Sequence, residues 1–205
     1  MAQDPVAAHQ KKARRQGAYL AVIDESGLLM APLVRRTWAP RGQTPELVQR
    51  CGKREKVSVA AALWLSPLRN RLGLFARTLV NDYFDNWYSA AFLEALLKEL
   101  PGRVVVVWDG GSMHQGDPIA QLQDVMADRL SLERFPPYAP QLSPVEPSWS
   151  WLKYSRLCNF APQDAIQLDG RVVAELSAIR DDQELLRGFW HGSDLPLPRP
   201  LTLLS

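Results

Sequence analysis

The sequence predicts an α/β fold in which a mixed sheet is flanked by helices. Short apolar, β-branched runs are typical of buried strands, and one of them, Val104 to Trp108, is apolar at every position. A strand of this kind is buried on both faces, which requires helices above and below the sheet. Apolar residues at helical spacing between Phe84 and Leu100 predict one of these helices.

The N-terminal half predicts an antiparallel meander. Residues 1–16 are polar and basic, so we expect a flexible arm or a linker remnant. A strand that starts at Ala18 is expected to turn at Ser26-Gly27 and to return through Leu33. After a basic loop, two more strands are predicted at Val57 to Leu65 and Gly73 to Val80.

The C-terminal half predicts helices around the buried strand. The first helix ends near Leu100-Pro101-Gly102, and later elements follow in the order helix, strand, proline-rich turn and helix. These elements are predicted at Pro118 to Ala127, Leu130 to Arg134, Pro136 to Pro140 and the segment that carries Glu146. Residues 163–189 read as helical. We therefore expect one domain over residues 17–190, followed by a proline-rich tail over residues 191–205.

Composition narrows the class of protein. A chain of 205 residues that is 46% hydrophobic and 22% charged can bury one substantial core. No apolar stretch approaches the roughly 20 residues of a membrane span, and the N-terminus lacks a signal-peptide pattern, so we expect a cytoplasmic protein without a membrane partner. The two cysteines lack Cys-x-x-Cys spacing and the three histidines are scattered, so any metal site must depend on oxygen ligands.

Three acidic residues stand at the ends of predicted elements. Asp24 and Asp109 each follow an apolar strand, and Glu146 lies at the start of a helix whose first turn suits Pro144. Three such carboxylates can converge on a divalent cation, and oxygen ligands favour Mg²⁺ or Mn²⁺. Taken singly, each acid also has an ordinary structural role, as a turn acid, a cap or a first-turn glutamate.

The same acids belong to longer sequence motifs that resemble those of a known family. The motifs are Asp24-Glu25-Ser26, Trp38 to Pro45, Asp109 to His114, Phe135 to Glu146, Trp149 and Leu152-Lys153. Together they resemble the DDE transposases of the mariner-like superfamily, in the branch found in bacterial insertion sequences. Thirty-six residues separate Asp109 from Glu146, close to the mid-thirties spacing of that family. The similarity runs from about Ala18 to about Phe160.

The resemblance implies a ribonuclease-H-like fold and a metal-dependent reaction on DNA. It implies that Asp24 and Asp109 are neighbours at one sheet edge, and that Glu146 lies on a helix packed against that sheet. These three residues would hold two Mg²⁺ or Mn²⁺ ions for strand cleavage and strand transfer. The implied partners are DNA, at the element ends and at the target, and a second copy in a homodimer.

The family resemblance also implies a helix-turn-helix region that reads terminal repeats. The sequence leaves no room for one before Ala18, so we expect a partner protein from a separate reading frame to supply the helix-turn-helix region. We also expect the protein to associate with the nucleoid. Two alternatives stay open: a ribonuclease-H-like nuclease or resolvase, or a catalytically silent remnant that binds DNA or protein.

Residues near the acids leave further alternatives. Glu25 adjoins Asp24, and strand alternation is expected to point it to the opposite face. His114 could approach the scissile phosphate, hold a carboxylate of the site or be a satisfied loop histidine. Gly110 stands where the family usually has Asn. The run Gly110 to His114 loosely suggests the nucleophile turn of a serine hydrolase, but its fifth position is His instead of Gly.

A basic segment between Arg35 and Lys56 predicts a surface for phosphate groups. Its alternative is a solvated, arginine-rich loop. The basic residues are Arg35, Arg36, Arg41, Arg50, Lys53, Arg54 and Lys56. The tryptophans Trp38, Trp149 and Trp151 could stack on bases, although the helical spacing of Trp149 from Glu146 also suits the core.

Overall fold

The computed structural model describes residues 5–31, 33–48, 55–136 and 139–195, with side chains from residue 8 onward. Over these residues the chain forms a five-stranded mixed sheet of order β3-β2-β1-β4-β5. The strands are β1 Tyr19–Leu29, β2 Lys56–Leu65, β3 Leu72–Val80, β4 Val104–Trp108 and β5 Leu130–Arg134. β1, β2 and β3 pair antiparallel, whereas β4 pairs parallel with both β1 and β5. The predicted α/β class is therefore confirmed.

Helices cover both faces of the sheet. They are α1 Pro5–Arg15, α2 Asn86–Glu99, α3 Asp117–Val125, α4 Glu146–Trp151, α5 Ala165–Asp181 and α6 Gln183–His191. Alternation along β1 sends Leu20 and Val22 into a core with α1, α4, α5 and α6, and sends Ala21 and Ile23 into a core with α2 and α3. No helix among the described residues has the length and apolar character that a membrane crossing requires.

The predicted turn at Ser26-Gly27 is wrong. β1 continues through this point to Leu29, and Ser26 and Gly27 lie opposite Val59 and Ser58 of β2. Because β2 offers a paired backbone along the whole length of β1, the chain satisfies its hydrogen bonds by staying extended instead of turning back on itself. The meander is therefore built from β1, β2 and β3.

The predicted flexible arm is also wrong over its described part, where the chain forms α1. Ala13 is fully buried against the sheet. The Lys12 ammonium group forms an ion pair with Glu133 and donates a 2.6 Å hydrogen bond to Ser131, both on β5. These contacts hold the helix to the edge strand. The domain boundaries stay a prediction, and most of the predicted tail, residues 196–205, lies outside the described residues.

The C-terminal helical segment is interrupted once. Asp182 ends α5, and its side chain accepts a hydrogen bond from the backbone N–H of Leu185 in the first turn of α6. Such a cap satisfies a helix N-terminus that has no partner within the helix. The single helical pattern of residues 163–189 therefore resolves into two helices that pack on the same face.

Strand register brings the first two acids to one edge. Val22 of β1 lies opposite Val107 of β4, so Asp24 and Asp109 each stand two residues further along adjacent parallel strands. Trp108 lies opposite Arg134 at the end of β5. Ligands of α/β proteins commonly bind beyond the carboxyl ends of parallel strands. The sheet thus places the expected acids where a site is expected.

Candidate active site

A cleft of about 660 Å³ lies at this edge of the sheet. Asp24, Asp109 and Glu146 all line it. Other lining groups include Arg134 at the end of β5 and Phe135, which follows it. The structure therefore brings the three acids predicted from sequence to one cavity, although they come from two strands and a helix.

Asp24 occupies the most buried position of the three. Its carboxylate accepts a 2.8 Å hydrogen bond from the indole Nε1 of Trp149. Burial raises the pKa of Asp24 to about 7; the bond from Trp149 opposes this rise, and the nearby charges of Glu146 and Glu25 add to it. A carboxylate in this position is costly to ionise without a neighbouring cation.

Glu146 is placed by a helix that the core anchors on both sides. Val145, just before α4, is fully buried, and Trp149 is buried one turn later. Glu146 itself is exposed in the first turn. Residues three apart share a helix face, so the helix that fixes Trp149 over Asp24 also directs Glu146 toward the cleft. This arrangement accounts for the electrostatic influence of Glu146 on Asp24.

Asp109 is exposed like Glu146, with 64% of its side chain accessible. Its Oδ1 accepts a 2.8 Å hydrogen bond from the backbone N–H of Gly111 and lies 2.8 Å from Nδ1 of His114. The carboxylate is thus held by groups of its own loop although it faces solvent.

His114 joins Asp109 to Glu25, the acid that was expected to point away from the site. Its side chain is 1% exposed and stacks on Trp108, with ring centroids 4.2 Å apart and planes 10° apart. Nε2 lies 3.0 Å from Oε1 of Glu25. Burial lowers the pKa of His114, but the bond and charge of Glu25 and the contacts with Asp109 together raise it above its ordinary value.

The expectation that Glu25 points away from Asp24 agrees with the structure. Glu25 lies on the face of α2 and α3, near Phe84 and Met113, whereas Asp24 lies on the face of α4. Its contact with His114, 89 residues away, is the part that the sequence missed. The only signal for it was the pair of adjacent acids and the histidine five residues after Asp109.

The serine-hydrolase alternative has no support in the geometry. Ser112 lies in a short 3₁₀ turn, Ser112–His114, and both ring nitrogens of His114 face Asp109 and Glu25. A nucleophilic serine needs a general base within hydrogen-bond reach, and His114 is the base that this motif would supply. The ring is already engaged elsewhere.

The donor set suits a hard divalent cation. Within the described part of the chain, no three His, Cys, Asp or Glu side chains stand close enough to hold a metal ion as they are placed. The three acids nevertheless share one cleft, and two of them repel each other. Carboxylate oxygens are the ligands that Mg²⁺ and Mn²⁺ prefer, and a cation there would offset the cost of ionising Asp24.

Residues 33–48, which include the start of the basic segment, are exposed and form no helix or strand, whereas Lys56 at the end of the segment is the first residue of β2. The start of the segment is anchored to the domain: the Arg35 backbone N–H donates a 2.8 Å bond to Asn159, and its Nη1 donates a 2.6 Å bond to the Tyr154 carbonyl. Trp38 is fully exposed, whereas Trp149 is buried. Arg50, Lys53 and Arg54 lie outside the described residues.

A sheet of this order, with helices on both faces, one acid inside β1 just past its last residue paired with β4 and another directly after β4, defines the ribonuclease-H-like class. Residues 19–169 match the model of the DDE superfamily endonuclease family. The chain belongs to this family. A comparison with curated proteins gives no match.

Solved structures with a similar fold include those of the Mos1 transposase. The paired-end complex with the left transposon end has a TM-score of 0.61 at 13% identity, and covers 92% of this chain and 55% of the Mos1 chain. The mariner Mos1 paired-end complex with Mg has a TM-score of 0.62 at 14% identity, and the match covers 92% of this chain and 54% of the Mos1 chain. The Mos1 catalytic domain has a TM-score of 0.54 at 13% identity, and the match covers 92% of this chain and 80% of the Mos1 chain. The chain thus spans about half the length of the Mos1 chains in these complexes, and at this identity the likeness establishes the fold.

Proposed function

We propose that this chain is the catalytic domain of a DNA transposase that cleaves DNA strands and transfers them to a target. The observation that carries the proposal is the single cleft lined by Asp24, Asp109 and Glu146 at the edge of a ribonuclease-H-like sheet, in a member of the DDE superfamily endonuclease family. The motif from Phe135 to Glu146 supports the finer assignment to the branch found in bacterial insertion sequences.

In this proposal Asp24, Asp109 and Glu146 are the catalytic residues and the ligands of two Mg²⁺ or Mn²⁺ ions. When bound, such ions supply activation of the attacking oxygen and stabilise the charge that develops on the phosphate. Trp149 orients the Asp24 carboxylate through its indole N–H. Among structures of similar fold, Mos1 paired-end complexes contain Mn or Mg, which supports the metal assignment.

The proposed substrate is duplex DNA, at element ends and at a target. Arg134 lines the cleft itself, and Arg35, Arg36 and Arg41 lie on the exposed basic segment. Cationic side chains of this kind neutralise phosphates without reading bases. We therefore propose that a helix-turn-helix frame supplies sequence recognition, that two copies act as a homodimer, and that the protein works on the nucleoid in the cytoplasm.

The test is cleavage of a labelled duplex with Mn²⁺, comparing the parent with Asp109→Asn and Glu146→Gln. Asp124→Asn is the matched control because Asp124 is an exposed acid on α3, outside the cleft. We expect nicked and strand-transfer products from the parent and the control, and a loss of at least about 10³-fold in the two site variants. Nicking without strand transfer would instead indicate a nuclease. Binding of DNA without any Mn²⁺-dependent cleavage would indicate a silent remnant.

A further inference from the structure

We propose that His114 is a positioning residue that holds one carboxylate oxygen of Asp109. Asp109 would then coordinate a metal ion through its other carboxylate oxygen alone. The proposal rests on the function proposed above, in which Asp109 is a metal ligand. It adds a role for His114 and for Gly111, the second residue after Asp109.

The carboxylate of Asp109 is engaged on one side. Oδ1 accepts from the backbone N–H of Gly111 and lies 2.8 Å from Nδ1 of His114. Among the described residues, no donor contacts Oδ2. Because Asp109 lines the cleft, the oxygen that remains for a cation is Oδ2. A carboxylate held in this way binds in one orientation instead of several, which lowers the ordering cost of ligation.

His114 can hold Asp109 because the ring is itself fixed. It is buried, stacked on Trp108, and its second nitrogen faces Glu25 at 3.0 Å. Nδ1 also lies 3.2 Å from the Asp109 backbone carbonyl. Contacts at both nitrogens and on the ring face leave the imidazole one orientation. Glu25 therefore takes part in the site through His114, although it points to the other face of the sheet.

Gly111 is the residue that lets this contact form. A Cβ at position 111 would lie 2.9 Å from Oδ1 of Asp109 and 3.7 Å from Nδ1 of His114. The backbone of Gly111 has φ −54° and ψ 150°, which any residue can adopt. A side chain at position 111 would thus push the Asp109 carboxylate out of its present place, whereas the backbone angles place no demand for glycine. At Gly110, by contrast, a Cβ would meet nothing within 4 Å.

A purely structural histidine would stabilise the loop without affecting metal affinity, so the test measures both. Mn²⁺ binding is followed by titration calorimetry and folding by thermal melts, for His114→Asn and His114→Gln. The Asn amide replaces Nδ1 and keeps a donor near Asp109, whereas the Gln amide replaces Nε2 and keeps a contact with Glu25. We expect His114→Gln to weaken Mn²⁺ binding about tenfold or more and His114→Asn to weaken it less than about threefold. Equal Mn²⁺ affinity in both variants, or equal losses that follow the melting temperature, would overturn the proposal.

The glycine pair gives a second test that does not disturb the ring. Gly111→Ala should displace the Asp109 carboxylate and weaken Mn²⁺ binding about tenfold with little change in melting temperature, while Gly110→Ala should leave Mn²⁺ binding unchanged. Unchanged Mn²⁺ binding in Gly111→Ala would overturn the proposal even if His114→Gln fails to fold. If the parent binds Mn²⁺ and Asp109→Asn abolishes it, a failure of both tests counts against His114 alone. A parent that binds no Mn²⁺ overturns this proposal together with the metal site.

Discussion

The indole N–H of Trp149 donates a 2.8 Å hydrogen bond to the carboxylate of Asp24, 125 residues earlier in the chain. The bond joins the helix that carries Glu146 to the strand that carries Asp24. It also opposes the rise in pKa that burial imposes on Asp24. A buried tryptophan thus sets the distance between two acids of the candidate site.

Replacing Trp149 by Phe should weaken both metal binding and folding. The ring volume that packs in the core is largely kept, but the donor to Asp24 is removed. We expect Mn²⁺ affinity to fall about tenfold and the free energy of unfolding to fall by about 1–2 kcal/mol. Calorimetry and denaturant unfolding measure the two quantities. Trp151→Phe is the control, because Trp151 packs edge-on against Phe189 and does not touch Asp24; similar losses of Mn²⁺ affinity in both variants would contradict the assignment.

The pKa of Asp24 predicts how the stability of the metal-free protein depends on pH. Its value of about 7 in the fold exceeds the ordinary 3.8, so the folded state retains a proton that the unfolded chain releases. The contribution to stability is therefore fully present below about pH 4 and is lost as pH rises through 7. Asp24→Asn removes this loss and can still accept a bond from Trp149.

We expect the melting temperature of Asp24→Asn, relative to the parent, to be higher at pH 8 than at pH 5 by about 4 °C or more. Thermal melts in chelator-treated buffer measure the difference, and Asp124→Asn, which removes an exposed acid, should show none. A constant offset between Asp24→Asn and the parent at the two pH values would contradict a raised pKa. Added Mn²⁺ should stabilise the parent and not the variant.

Charge reversal on the exposed segment should reduce DNA binding at low salt. Arg36→Glu with Arg41→Glu removes two cations that face solvent, so the slope of log K against log salt should become shallower by about 0.9 for each phosphate that the protein no longer neutralises. Lys98→Glu with Arg103→Glu is the control: these exposed residues lie after β3 and before β4, away from the cleft. Fluorescence anisotropy at several salt concentrations measures both. Equal slopes for the two double variants would remove this segment from the DNA surface.

Loss of the ion pair between Lys12 and Glu133 should release α1 from the sheet edge. Glu133 is partly buried and also lies 3.5 Å from His9, so Glu133→Gln should lower the free energy of unfolding by about 1 kcal/mol. Glu94→Gln breaks an exposed pair with Lys98 and should cost less than about 0.5 kcal/mol. Denaturant unfolding gives both values, and limited proteolysis should cut α1 faster in Glu133→Gln alone. Equal stability and equal cleavage in the two variants would show that the pair does not hold the helix.

The strands and their acids could be predicted because their signals are local, although Asp24 lies inside β1, which continues to Leu29, and does not follow the strand as expected. Burial on both faces makes Val104 to Trp108 apolar throughout, and the structure has β4 over the same residues. The motifs around Asp24, Asp109 and Glu146 could be recognised because their residue types and spacing are local properties of the chain. The sequence alone therefore determined the fold class and the three acids that line the cleft.

Contacts between distant residues were decided by the tertiary structure. The turn expected at Ser26-Gly27 did not form because β2 pairs with all of β1, and the expected arm became α1 because Ala13 and Lys12 find partners on the sheet. The contact between Glu25 and His114, which continues to Asp109, joins residues 89 positions apart. Nothing in the local pattern specifies such a link, since strand alternation assigns a side chain to a face but not to the partner that packing brings there.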